Sequence, residues 1–231
     1  MEIQAEFLHR LLNEWLPAYC EDPKRNYLKE GFDRDSIKVT SQDARDFIRA
    51  IDTKTVTHIG GGKFCMPRSK ANEVIFWEGW KATVPRRITL WLEPIITIAA
   101  MARLHLDYGW PKDCLGMQSK NWAFDVTAFK PQNSEKEYIA GEVKKTSKEL
   151  DKFLINLHKS CAEGDLDCNS VSPARRNAHK KWLGLQRCNA PLFWALGPGG
   201  DSRLFEVSYS SKGAITLNTT SDEQLNFSGK S

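Results

Sequence analysis

Apolar residues open the chain at helical spacing: Phe7, Leu8, Leu11, Leu12, Trp15 and Leu16, with Pro17 expected to close the run. A polar stretch from Glu21 to Lys38 follows. A short helix capped by Ser41 is predicted next, with Ala44, Phe47, Ile48 and Ile51 on its buried face. The segment from His58 to Ala71 carries Gly60, Gly61, Gly62 and Pro67 and reads as a loop.

The second half is more regular. Ile95 to Leu106 predicts a helix that ends near Gly109-Trp110-Pro111. A turn at Ser119 to Asn121 precedes an expected strand over Trp122 to Phe129. A turn over Pro131 to Glu135 leads to a second strand, Tyr138 to Val143. Leu150, Phe153, Leu154 and Leu157 mark a helix from Ser147 to Cys161. A basic helix is predicted over Pro173 to Arg187, followed by an apolar strand at Leu192 to Leu196. After Gly197-Pro198-Gly199-Gly200, the runs Leu204 to Tyr209 and Ala214 to Leu217 read as a closing hairpin. This order predicts an α/β domain with a mixed sheet between helices over residues 86–231, preceded by a helical extension with a Gly-rich loop over residues 1–85.

Composition changes this picture little. At 41% hydrophobic and 27% charged, with eight Trp and eleven Phe, the chain has material for a core and no sign of extensive disorder. A net charge of +4 permits an acidic partner without demanding one. The first twenty residues carry Glu2, Glu6, Arg10 and Glu14, unlike an export signal. The most apolar run, Ile95 to Ala102, falls far short of the roughly 20 residues that span a bilayer. The six cysteines follow no framework spacing. The expectation is a cytoplasmic protein with free thiols and no membrane partner.

The chemistry concentrates in the two strands before the Ser147 helix. Each places an acid within an apolar run: Asp125 between Phe124 and Val126, and Glu142 between Gly141 and Val143. Strand alternation puts Glu142 and Lys144 on one side. If the strands pair antiparallel, Asp125 approaches Glu142. Burying lone carboxylates costs several kcal/mol, roughly, and a shared divalent cation would offset that cost. Hard carboxylate oxygens suit Mg²⁺, with Mn²⁺ as a substitute. Such a trio suits phosphodiester hydrolysis: the metal activates water, and the lysine positions or deprotonates it or neutralises developing charge. Acid-x-Lys occurs three times, at Asp22-Pro23-Lys24, Asp52-Thr53-Lys54 and Glu142-Val143-Lys144. Only the last ends an apolar strand with a matching acid on the strand before it.

Over these residues the chain resembles the PD-(D/E)XK nuclease superfamily, whose signature is an acid on one strand, acid-x-Lys on the next, and then a helix. Asp125 matches the first element, Glu142-Val143-Lys144 the second, and the helix from Ser147 the third. The likeness covers residues from Leu90 to Leu196. Phe124 stands where the motif name has proline. The resemblance implies a restriction-endonuclease-like core and metal-dependent cleavage of DNA. Asp125 and Glu142 would hold metal, and Lys144 would assist the water. Relatives often add a carboxylate from the preceding helix, for which Glu93 is the candidate, with Glu78 and Glu73 as weaker substitutes. Many relatives are homodimers.

Two further features suit a polyanion. Arg175, Arg176, Lys180, Lys181 and Arg187 share one predicted helix without acids, and Lys145 and Lys148 extend the positive surface. The Gly60-Gly61-Gly62-Lys63 run, with Arg68 and Lys70, lacks the ending of a nucleotide-binding P-loop, so no nucleotide cofactor is expected. Two alternatives stay open: a catalytically inactive nuclease-fold protein that binds nucleic acid or serves assembly, and an enzyme acting on RNA or a nucleotide. From the sequence, Glu142→Ala is expected to abolish cleavage while leaving the fold nearly intact.

Overall fold

Leu192 to Leu196 is buried along its whole length, and its side chains divide between two clusters, Leu192, Trp194 and Leu196 in one and Phe193 and Ala195 in the other. A strand buried on both faces belongs at the centre of a helix-covered sheet. The computed structural model places it there and describes residues 2–21, 27–81, 84–120, 123–131, 133–164, 171–211 and 213–228.

The chain begins with α1 (Ile3–Arg10) and α2 (Leu16–Cys20), joined by a π-helical turn over Leu11–Trp15. Pro17 therefore lies in the first turn of α2 and does not end the run. The widened turn accommodates the missing N–H and the ring that would otherwise crowd the carbonyl four residues back. β1 (Phe32–Asp33) interrupts the expected polar stretch, and residues 22–26 of that stretch lie outside the described residues. Next comes α3 (Ser41–Asp52), whose cap is Thr40 and not Ser41: the Thr40 hydroxyl accepts the Asp43 N–H at 3.1 Å. The expected Gly-rich loop contains a small hairpin, β2 (Thr57–His58) and β3 (Lys63–Cys65), which turns at Gly60, Gly61 and Gly62 with φ of 94°, 54° and 65°. Glycine adopts these angles without steric cost. β4 (Glu73–Val74) completes that three-stranded sheet. β5 (Phe76–Glu78) and β6 (Ile88–Leu90) form another with β1, in the order β1-β6-β5.

α4 (Leu92–Ala102) then leads into the main sheet: β7 (Leu115–Met117), β8 (Val126–Lys130), β9 (Asn133–Val143), β10 (Leu192–Leu196), β11 (Ser202–Tyr209) and β12 (Ile215–Thr219). Their spatial order is β12-β11-β10-β9-β8-β7, antiparallel except for the parallel pair β9 and β10. A parallel neighbour needs a crossover. Here α5 (Ser147–Glu163) and α6 (Pro173–Cys188) supply it. The molecule is thus mixed α/β, and its main sheet has α4 on one face and the α5–α6 pair on the other.

The expected division at residue 85 falls inside the β1-β6-β5 sheet. One apolar cluster runs from Phe7, Trp15 and Phe47 through Ile95 and Ile98 to Val126, Ile139 and Trp194. Phe7, Trp15, Phe47 and Phe64 meet edge-on with centroids 5.3–6.4 Å apart. Each such pair contributes about 0.5–1.5 kcal/mol beyond its burial. A polar clamp adds to the join, since Asp43 on α3 accepts the Gly199 N–H at 2.7 Å from the turn after β10. Among the described residues no helix is long and apolar enough to cross a membrane, and Cys20, Cys65, Cys114, Cys161 and Cys188 are free thiols.

Candidate active site

Glu142 lies one residue before the end of β9, with Ala140 on the face toward α5 and α6. It is 1% exposed. A carboxylate there needs compensation, and two ammonium groups provide it. Lys144 Nζ lies 2.5 Å from Oε1 and also donates to the Val143 carbonyl at 3.0 Å. Lys181 Nζ, from α6, lies 2.5 Å from Oε2. Burial drives the Glu142 carboxyl upward, but the charges of Lys181 and Lys144 outweigh it and hold the group below the ordinary glutamate range. Burial opposes the charge on Lys144 too, yet Glu142 foremost, with Asp125 and Glu93, raises it above the ordinary lysine value. Lys144 is therefore a fixed cation here, suited to donating hydrogen bonds and neutralising charge and poorly suited to removing a proton.

Asp125 stands just before β8, where β8 and β9 pair antiparallel with Val126 opposite Gly141. The strand begins later than expected, and Trp122 lies outside the described residues. The Asp125 N–H donates to the Gly141 carbonyl at 2.9 Å, and its Oδ2 accepts the Val143 N–H at 2.9 Å. The first acid is thereby tied to the backbone between Glu142 and Lys144. Gly141 makes the close packing possible: a Cβ there would meet Val126 Cβ at 2.8 Å and the Trp194 carbonyl oxygen at 3.1 Å. Burial and the Glu142 charge push Asp125 up to about 7, although Lys181, the Val143 N–H and Lys144 pull the other way.

Two further acids are electrostatically coupled to this pair. Glu93 sits in the first turn of α4 and accepts the Trp91 indole N–H at 3.2 Å. It is raised by burial and by Glu142, against the pull of Lys144. Glu73, on β4, is buried and raised to about 8 by burial first, then by Asp125 and Glu93, while the Gln118 amide opposes the rise. That amide donates to Glu73 at 2.7 Å and lies 3.4 Å from Asp125 Oδ1. Gln118 holds φ at 55°, an uncommon angle for a residue with a side chain. Its bridging role leaves no periodic trace in the sequence, so sequence reasoning missed it. Glu78 is elsewhere, accepting the Tyr19 hydroxyl at 2.6 Å and pairing with Arg86 at 3.1 Å.

Carboxylate oxygens are the donor type that a divalent cation takes. Asp125, Glu93 and Glu73 are hard oxygen donors short of positive charge, and the Lys144 ammonium between Glu142 Oε1 and the Val143 carbonyl shows a cation held by such oxygens. No three His, Cys, Asp or Glu side chains among the described residues already form a metal cage. A metal at Glu142 must share it with a lysine or displace one.

The basic residues separate. On α6 the inward face carries Arg175, Ala178, Lys181, Trp182 and Leu185. Two members of the expected phosphate-contacting set are consequently used inside the protein. Lys181 joins the centre, and Arg175 donates to the Asn156 carbonyl, to Ser160 at 2.7 Å and to Glu163 at 2.7 Å, tying α6 to α5. Arg176, Lys180 and Arg187 remain exposed on α6, as do Lys145 and Lys148 at the start of α5, where Lys145 pairs with Glu149 at 3.5 Å. Compared with protein-family models, curated proteins and solved structures, the chain matches none.

Proposed function

We propose that this protein is a metal-dependent endonuclease of the PD-(D/E)XK type, acting on DNA phosphodiester bonds through a restriction-endonuclease-like core. The observation that carries the reading is the bond from the Val143 N–H to Asp125, which ties the acid before β8 to the Glu142-Val143-Lys144 motif closing β9. The crossover helix α5 and the parallel strand β10 follow in the order the motif calls for.

In this reading Asp125, Glu142 and Glu93 hold Mg²⁺, or Mn²⁺ in its place. When bound, the ion supplies Lewis acidity toward a phosphate oxygen and lowers the pKa of water. Lys144 donates hydrogen bonds to the attacking water or to the phosphate oxygens, offsetting charge that builds there. Lys181 keeps Glu142 ionised and fixes its orientation. Gln118 holds Glu73 close to Asp125.

The test is cleavage of supercoiled plasmid and single-stranded DNA with Mg²⁺ or Mn²⁺, wild type beside Lys144→Ala. Metal-dependent cutting that drops about 100-fold or more in the variant is expected, the scale of losing one charge-stabilising donor. Wild-type protein that cuts neither substrate, or a variant as active as wild type, would overturn the reading.

One observation favours a second reading, a binding or assembly module built on the same fold. Both Glu142 oxygens are already matched by ammonium groups, so the buried charge is balanced without a metal. Calorimetric titration separates the two readings, because a scaffold of this kind takes up no Mg²⁺ that depends on Asp125.

A further inference from the structure

We infer that single-stranded nucleic acid is held in a basic cleft, one wall of which is contributed by the first 85 residues. The inference rests on the nuclease reading and names the form of its substrate.

The cleft has a volume of about 730 Å³. Arg68, Lys70, Lys120 and Arg187 line it, drawn from the segment after β3, the turn before β8 and the end of α6. Glu135 and Glu137 line it too, so the four cations leave it net positive. Lys70, Lys120 and Arg187 are exposed. Two separate features of the sequence, the basic helix and the Arg68–Lys70 segment, thus meet at one surface.

That surface is built. The Arg68 N–H donates to the Leu115 carbonyl at 3.2 Å and the Lys70 N–H to the Gln118 carbonyl at 3.0 Å, so the segment docks along the free edge of β7. Ser69 Oγ accepts the Met117 N–H at 2.8 Å. Gly116 permits the approach: a Cβ there would meet the Arg68 carbonyl carbon and oxygen at 2.8 Å. The Arg68 guanidinium stands 5.6 Å from the Phe129 ring centroid, and its Nε donates to the Asp113 carbonyl at 3.0 Å, so this wall is held in place.

The cleft borders the segment that leads to Asp125: Ala123 and Phe124 line it, and the Lys181 ammonium lies 5.9 Å from the Phe124 ring centroid. Size selects the form. A cleft of about 300–1,000 Å³ holds a ligand of small-molecule dimensions, whereas a duplex presents grooves about 12 Å and 6 Å wide with both strands attached. A single strand, with phosphates on the cations beside the Phe124 and Phe129 rings that line the cleft, matches this combination.

The test is fluorescence anisotropy of a labelled oligothymidylate and of a mixed-sequence duplex, without divalent ions, across a salt series. Lys70→Gln/Arg187→Gln is expected to weaken single-strand binding about tenfold and to make the log affinity–log salt slope shallower by about 1.4, at about 0.7 per phosphate contact. Lys152→Gln/Lys159→Gln, on exposed positions of α5 outside the cleft, is expected to bind as wild type. Unchanged affinity and slope in the cleft variant would overturn the inference. So would wild-type protein that binds no single strand, or one that prefers duplex and loses it in the cleft variant. Cleavage is measured separately with Mg²⁺. Cutting that persists while the cleft variant binds normally removes this inference alone, and expected binding without any cutting removes only the nuclease reading.

Discussion

Lys181 on α6 and Glu142 on β9 meet at 2.5 Å, both buried, across the crossover that makes β9 and β10 parallel. With Lys144 on the other oxygen, one carboxylate pairs with two ammonium groups. The centre is therefore part of what holds the sheet to its helices.

Replacing Glu142 by alanine consequently does more than remove a ligand. It leaves two buried cations facing each other, and removing one partner of a buried pair costs about 3–5 kcal/mol. Urea denaturation should show a loss of this size for Glu142→Ala, partly restored in Glu142→Ala/Lys181→Met. A Glu142→Ala protein as stable as wild type would show that the lysines move out to water.

Stability should depend on pH in two windows. Glu142 is depressed in the fold, so its contribution is present above the unfolded carboxylate range of about 4.3 and is lost as pH falls through its lower folded value. Asp125 and Glu73 are raised to about 7 and about 8, so the folded state binds more protons and loses stability as pH climbs from about 4 to 8. Urea midpoints from pH 5 to 8 should fall without divalent ions and flatten when Mg²⁺ is added. A flat profile in both conditions would mean that the acids are well hydrated.

Gly141→Ala places a Cβ against Val126 and the Trp194 carbonyl in the middle of the sheet. Overpacking of this kind costs about 1–3 kcal/mol. The shift falls between Asp125 and Glu142, so on the nuclease reading cleavage should drop further than stability alone explains. Denaturation and cutting rates measured at one temperature below the transition separate the two effects.

Gly116→Ala places a methyl against the Arg68 backbone. Oligonucleotide affinity should fall severalfold while Mg²⁺ uptake, followed by calorimetry, stays as in wild type. Loss of both would tie the Arg68–Lys70 segment to the proposed metal site.

The closeness of Asp125, Glu142 and Lys144 was legible because they flank or end two apolar runs joined by a short turn. So were α5, α6, β10 and the final hairpin, where apolar periodicity is strong over many residues. Lys181 read as one more charge on a basic helix, since which face of α6 turns inward depends on packing against α5. Glu73 was hidden by a strand of two residues, and Gln118 by an unusual φ that no neighbouring residue announces. Pro17 and the three glycines suggested breaks that the chain instead spans, with a π turn and a hairpin. The union of residues 1–85 with the rest arises from contacts distant in sequence, which a pass along the chain does not register.

The crossover also bears on the order in which the molecule assembles. Lys144 is two residues from Glu142 and can pair with it as soon as β9 forms, but Lys181 arrives only after both α5 and α6 have been laid down and docked. Contacts with such a long loop to close form late. Substitutions at Lys181 should therefore speed unfolding and leave the folding rate nearly unchanged, as measured by stopped-flow in urea.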